Sequence, residues 1–144
     1  MPSADFYLAT ETGFDQCLPL VCKLVDKAYQ QQHAVFILVP SEILAKTLDD
    51  LLWTFRDDAF IPHSLQHQSQ LNIQIGFDQT APKLQDIFIN LTSVIPDFFP
   101  QFQRILEIVP QDQKDTARKK FRFYKEKNCE ITTHDLTKTA ETNK

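Results

Sequence analysis

Apolar positions recur along the chain with two different periods. Phe6-Tyr7-Leu8 is a short aromatic run after a polar start, which predicts a strand. Phe14, Leu18, Val21, Cys22, Val25, Ala28 and Tyr29 then fall on one helical stripe. Pro19 is compatible with that helix only in its first turn, so the start is expected near residues 16 to 18. Ala34 to Val39 is an unbroken apolar run closed by Pro40, the pattern of a strand buried on both faces of a parallel sheet. Ser41 is placed to cap a second helix, Glu42 suits its first turn, and Ile43, Leu44, Leu48, Leu51 and Leu52 form its buried stripe. Trp53 and Phe55 stand at the end of that stripe.

The second half is more broken. Residues 56–70 are polar except for Phe60-Ile61-Pro62 and read as a loop. Asn72 to Phe77 alternates as a strand does, with Ile73 and Ile75 on one face. Asp86 to Leu91 and Ile105 to Val109 read as strands, and Pro96 to Phe102 as a short helix. Gln111 to Lys127 reads as a long polar helix and Cys129 to Ile131 as a last short strand. Strands alternating with helices predict an α/β fold: one three-layer domain over residues 1–136, with a mostly parallel central sheet flanked by helices. Residues 137–144 lack an apolar anchor and are expected to form a flexible tail.

Composition changes this picture at three points. The two glycines, Gly13 and Gly76, are too far apart for any phosphate-cradling loop, so the usual nucleotide-binding sites are excluded and no cofactor is expected. The three cysteines, Cys17, Cys22 and Cys129, form no C-x-x-C, which suits a reducing cytoplasm. No apolar run is long enough to span a membrane and no secretory signal is visible, so a cytoplasmic location is expected.

The charge is uneven. The whole chain carries −4, yet residues 114–127 hold seven basic and two acidic side chains. An acidic body disfavours general nucleic-acid binding, and a local cationic helix points to a specific anionic partner.

No constellation of catalytic type stands out. His63 and His67 lie four apart but in a loop, without a third ligand nearby, so no metal site is expected. Asp57 and Asp58 are neighbours that point apart, Ser64 lacks a nucleophile elbow, and Cys22 is a small core residue. The chain is therefore not expected to be an enzyme by itself. Lys114, Arg118, Phe121, Arg122 and Lys125 share one face of the basic helix. Such a face can hold an acidic peptide with an apolar end, because arginine clamps carboxylate by paired hydrogen bonds while a ring packs the apolar group. A solvated basic helix whose aromatic faces the core also fits, and the spacing does not decide between them. Trp53, Phe60 and Pro62 suit either a protein contact or a core cap.

At these residues the chain resembles the chi subunits of bacterial DNA polymerase III holoenzyme. The matching pieces are DFYL at 5–8, LLWTFRDDAFIPHSL at 51–65, DIFINL at 86–91, VP at 109–110 and ARKKFRFYK at 117–125. The resemblance implies an α/β fold that is nucleotide-binding-like without a phosphate loop, and a non-catalytic accessory subunit associated with the clamp loader during DNA replication. Its implied partners are the psi subunit and the acidic, phenylalanine-ended C-terminal tail of single-stranded DNA-binding protein, so DNA is engaged only indirectly. It implies tail-binding roles for Lys114, Arg118 and Phe121, where the family often has tyrosine at the last position, and a pocket wall at Val109. Phe60 belongs to the same pocket or to the opposite face. Trp53 and Pro62 match the region linked to psi, with a DNA-repair helicase as a competing partner there. The segment between Val109 and the basic helix looks shorter than in familiar members. The alternative is a direct nucleic-acid-binding protein using the basic helix at 114–127.

Overall fold

Strand and helix alternate at the start and the end of the chain. In this computed structural model, which describes residues 2–54, 64–65, 73–78 and 81–136, β1 (Ser3–Leu8) leads through a 3-10 turn (Phe14–Cys17) into α1 (Leu18–Gln30). Next come β2 (Val35–Leu38), α2 (Glu42–Thr54), β3 (Ser64–Leu65), β4 (Ile73–Gly76) and β5 (Ile87–Asn90). A 3-10 turn at Phe99–Gln101 precedes β6 (Arg104–Val109). Another, at Gln111–Gln113, runs into α3 (Lys114–Glu126), and β7 (Glu130–Asp135) follows.

The seven strands form one sheet in the order β3-β4-β2-β5-β6-β1-β7, and every pairing is parallel. β1 thus sits between two strands from the far end of the chain, with Ser3 opposite both Arg104 and Glu130.

Side-chain alternation divides the core into two. Val35, Ile37, Ile75, Ile89 and Ile108 pack with Val21 and Val25 of α1 and Ala45 and Leu48 of α2 on one face. Phe6, Phe36, Phe88, Ile105 and Val109 pack with Tyr124 of α3 on the other, where Phe36, Phe88, Phe98 and Phe102 form an aromatic cluster. This is the expected three-layer α/β arrangement. No helix among the described residues is long and apolar enough to cross a membrane.

Local signals account for the helix ends. Pro19 lies in the first turn of α1. The Ser41 hydroxyl accepts the Leu44 N–H at 3.2 Å and caps α2. Asn128, in the left-handed conformation (φ 63°), ends α3.

Four details differ from the sequence reading. β4 is buried at every position rather than alternating: Ile73 and Ile75 pack with the α1 and α2 layer, and Gln74 between them is also buried. Pro96 to Phe102 makes only a single 3-10 turn. Ser64–Leu65 is a short strand inside a segment read as loop. β7 extends to Asp135, since Thr132, Thr133 and His134 pair with β1 although their side chains are polar. Residues 137–144, expected to be a tail, lie outside the described residues.

Buried thiols make the fold sensitive to alkali. Burial pushes the Cys17 thiol up to about 12, with Glu11, Asp112 and Asp15 adding to it, and burial pushes Cys22 up to about 11. The native state therefore keeps protons that the unfolded chain releases above its ordinary thiol value of 9.0. This contribution is complete below pH 9 and is lost as pH climbs towards 11 and 12. Each thiol is expected to cost about 1.4 kcal/mol of stability by pH 10. Urea unfolding at pH 8 and pH 10 checks this, and equal midpoints would contradict it.

Candidate functional site

Two neighbouring strands, β1 and β6, send their helices to opposite faces of the sheet: α1 to one, α3 to the other. Parallel sheets leave a crevice beyond the carboxyl ends of strands at such a point. Here it is a groove of about 420 Å³ on the α3 side. Phe6 and Leu8 of β1, Val109 and Pro110 at the end of β6, and Ala117 and Phe121 of α3 give it an apolar lining. Lys114, Arg118 and Arg122 line it with three cations, and Gln111 and Thr133 complete it. Lys125, which shares the helical spacing, is not part of the lining.

The loops around the groove are tied together. The Gln111 N–H donates to Glu11 O at 2.8 Å and its side-chain amide to Ala9 O at 2.6 Å. Gly13 N–H donates to Asp112 Oδ1 at 2.9 Å. Gly13 holds φ 85°, and a Cβ there would stand 2.7 Å from Asp15 Oδ1, so this junction needs glycine.

Phe121 is the aromatic whose direction the helical spacing left open. It is 39% exposed and its ring leans on Phe6, centroids 5.9 Å apart. The buried aromatic of α3 is Tyr124, which packs on Phe6 and Phe99, with Phe123 beside it on Phe99. The Arg118 guanidinium donates to Asp115 Oδ1 at 2.8 Å, one turn back, with side chains 70% and 91% exposed. An exposed pair of this kind contributes little and is easily exchanged. Lys114 and Arg122 are exposed and make no ion pair with another described residue. The 3-10 turn at Gln111–Gln113 fills the short segment after Val109 and leaves Lys114 on the groove.

Lys120, counted from the sequence among the seven basic residues of the cationic stretch, does not belong to its surface. It is buried: its ammonium pairs with Glu107 Oε1 of β6 at 2.8 Å and donates to Thr92 O. Glu107 is fully buried, and its Oε2 accepts from Tyr124 Oη at 2.5 Å and from Asn90 Nδ2 at 3.1 Å. Asn90 Oδ1 accepts from the Thr92 hydroxyl at 2.7 Å, which ties the network to the end of β5. Burial, then the charge and hydrogen bond of Glu107, push the Tyr124 phenol well above its ordinary value, so it remains a donor. A Glu in the middle of the apolar run Ile105 to Val109 was the only sequence sign of this network.

Of the residues singled out in the sequence, Val109, Lys114, Arg118 and Phe121 meet at one groove. Trp53 lies in the last turn of α2, and Phe60 and Pro62 fall outside the described residues, as do His63 and His67. His33 contacts Asp86 at 2.9 Å, and His134 stacks on Tyr7 on the face of β1 opposite the groove. Among the described residues no three His, Cys, Asp or Glu side chains converge as metal ligands would.

A model of the family described as "DNA polymerase III chi subunit, HolC" matches residues 1–132. The chain is 34% identical over 139 residues to a Pseudomonas aeruginosa protein named DNA polymerase III subunit chi, covering 94% of this chain and 98% of that protein. It is 27% identical over 140 residues to the protein of that name from Haemophilus influenzae, covering 93% and 97%. Identity is also 27%, over 135 residues, to the Escherichia coli protein, covering 87% and 92%.

Proposed function

This chain belongs to the DNA polymerase III chi-subunit family, and on that premise we propose that it links the replicase to single-stranded DNA-binding protein by holding that protein's acidic C-terminal tail in the α3 groove. The observation that carries this reading is the meeting of three cations with an apolar, ring-lined hollow at one place. A tail ending in phenylalanine offers the complementary pair, a ring for the hollow and carboxylates for the rim. Arg118 takes the terminal carboxylate through two parallel hydrogen bonds. Phe121 and Val109 flank the terminal ring, and Lys114 and Arg122 attract the preceding acids. Encounter is steered by charge, so binding weakens as salt shortens the screening length.

A second contact, to psi, joins the chain to the clamp-loader assembly through the region of Trp53 and Pro62, where a DNA-repair helicase competes. This rests on the family resemblance. In this role the chain is a non-catalytic cytoplasmic accessory subunit that reaches DNA only through its partners. Burial of Lys120 beside Glu107 removes one cation from the helix surface, which counts against direct nucleic-acid binding by α3.

Titration calorimetry with three ligands tests the reading: an acidic peptide ending in phenylalanine, the same peptide with a terminal alanine, and a bare single-stranded oligonucleotide. Binding of the first alone is expected. Binding of the oligonucleotide with a steep salt slope, and of neither peptide, would overturn it.

Asp115 competes with the tail for Arg118. Asp115→Asn is therefore expected to tighten peptide binding about threefold, the scale of an exposed ion pair. Unchanged or weaker affinity in the same titration would count against a role for Arg118 as carboxylate clamp.

A further inference from the structure

We propose that Glu107, Lys120 and Tyr124 are positioning residues for the groove: their buried network fixes the rotation and height of α3 on the sheet and so sets where Arg118 and Phe121 stand. The inference rests on the docking role proposed for the groove. It starts from how little else orders α3. Its apolar side chains are Ala117, Phe121, Phe123 and Tyr124, and Phe121 is 39% exposed. Ring packing of this sort tolerates sliding and rotation, whereas hydrogen bonds to fixed acceptors do not. Lys120 and Tyr124, four apart on one face, both reach Glu107, and Lys120 also reaches Thr92 O. Strand β6 and the segment just after β5 thereby hold the helix at defined points.

The size of the effect follows from helix geometry. Side-chain tips lie ~5–6 Å from the axis, so a rotation of roughly 20° carries Phe121 and Arg118 about 2 Å. Such a shift is enough to misplace a two-bond clamp on a carboxylate. Buried ion pairs contribute little net stability compared with apolar groups of the same size, and their best-attested use is to select one arrangement among several.

The test separates position from stability. The variant Glu107→Leu/Lys120→Met/Tyr124→Phe leaves no buried charge. It is expected to melt within about 5 °C of the parent protein or above it. Two further readouts are then expected to change. Nuclear Overhauser contacts between the Phe6 and Phe121 rings, 5.9 Å apart between centroids, should be lost or averaged. Affinity for the phenylalanine-ended acidic peptide should fall at least tenfold. Should the triple variant not fold, Lys120→Met/Glu107→Gln, which keeps an acceptor for Tyr124 and no unpaired charge, carries the same readouts. Parent-like ring contacts in the folded variant overturn the proposal, as does unchanged affinity despite lost contacts. If the parent protein binds no such peptide, the docking role falls, and the ring contacts still decide whether the network sets the helix.

Discussion

Replacing Arg118 with alanine is expected to abolish measurable binding of a phenylalanine-ended acidic peptide and to leave the fold unchanged. Arg118 lines the groove, is largely exposed, and among the described residues bonds only the side chain of Asp115. Its removal therefore leaves no buried group without a partner. In the complex the guanidinium, one turn from Phe121 on the same helix face, would bond both oxygens of a terminal carboxylate, and the ring seated beside it would exclude water. Loss of such an anchor costs ~3 kcal/mol, roughly a hundredfold in affinity. Arg118→Lys keeps the charge but not the planar fork, so an intermediate loss is expected. Calorimetry with the peptide measures both variants, and association with psi provides the control, expected to be unaffected. Parent-like affinity in Arg118→Ala would remove the clamp from the mechanism.

Lys120→Met should do the reverse, damaging the fold first. The ammonium sits 2.8 Å from Glu107, the two side chains 7% and 0% exposed. Without it, a fully buried carboxylate keeps only Tyr124 and Asn90 as donors. Breaking a buried pair from one side costs ~3–5 kcal/mol, because the remaining charge has no compensation. For a chain of this size that lowers the melting midpoint by about 10 °C. Adding Glu107→Gln should restore part of it by removing the stranded charge. Thermal unfolding of the single and double variants checks the sign as well as the size. A single variant as stable as the parent would mean that Glu107 is solvated in a way its burial does not suggest.

The parallel sheet and its layers were legible because burial on both faces leaves unbroken apolar runs. Val35–Leu38 lies inside a run of that kind, Ile87–Ile89 forms a shorter one before Asn90, and Pro19 and Ser41 marked the starts of two helices correctly. β7 was half missed for the opposite reason. It is an edge strand whose Thr132, Thr133 and His134 look like loop in sequence, and only pairing with β1 makes them a strand.

At the groove, helical spacing put Lys114, Arg118 and Phe121 on one side of α3. It did not reveal whether that side met solvent or sheet. That depended on Tyr124 and Phe123 taking the inner face. Lys120 was misread because a lysine among six other basic residues carries no sign of burial. Its partner is 13 positions away on a strand, and only the fold brings them together.

The place of β1 between β6 and β7 also governs when the molecule becomes competent. Ser3 to Leu8 leave the ribosome long before Arg104 to Val109 and Glu130 to Asp135, the segments they pair with. Closing so long a span is slow, because its entropy is lost before the contacts that reward it can form. The hollow, built from Phe6, Val109 and Phe121, is therefore among the last features to be completed during synthesis. On the docking role proposed for the groove, a nascent chain that lacks β6 and α3 has no hollow to offer a partner, and a cut that releases β7 strips Thr133 from its wall while sparing every residue of the cationic helix.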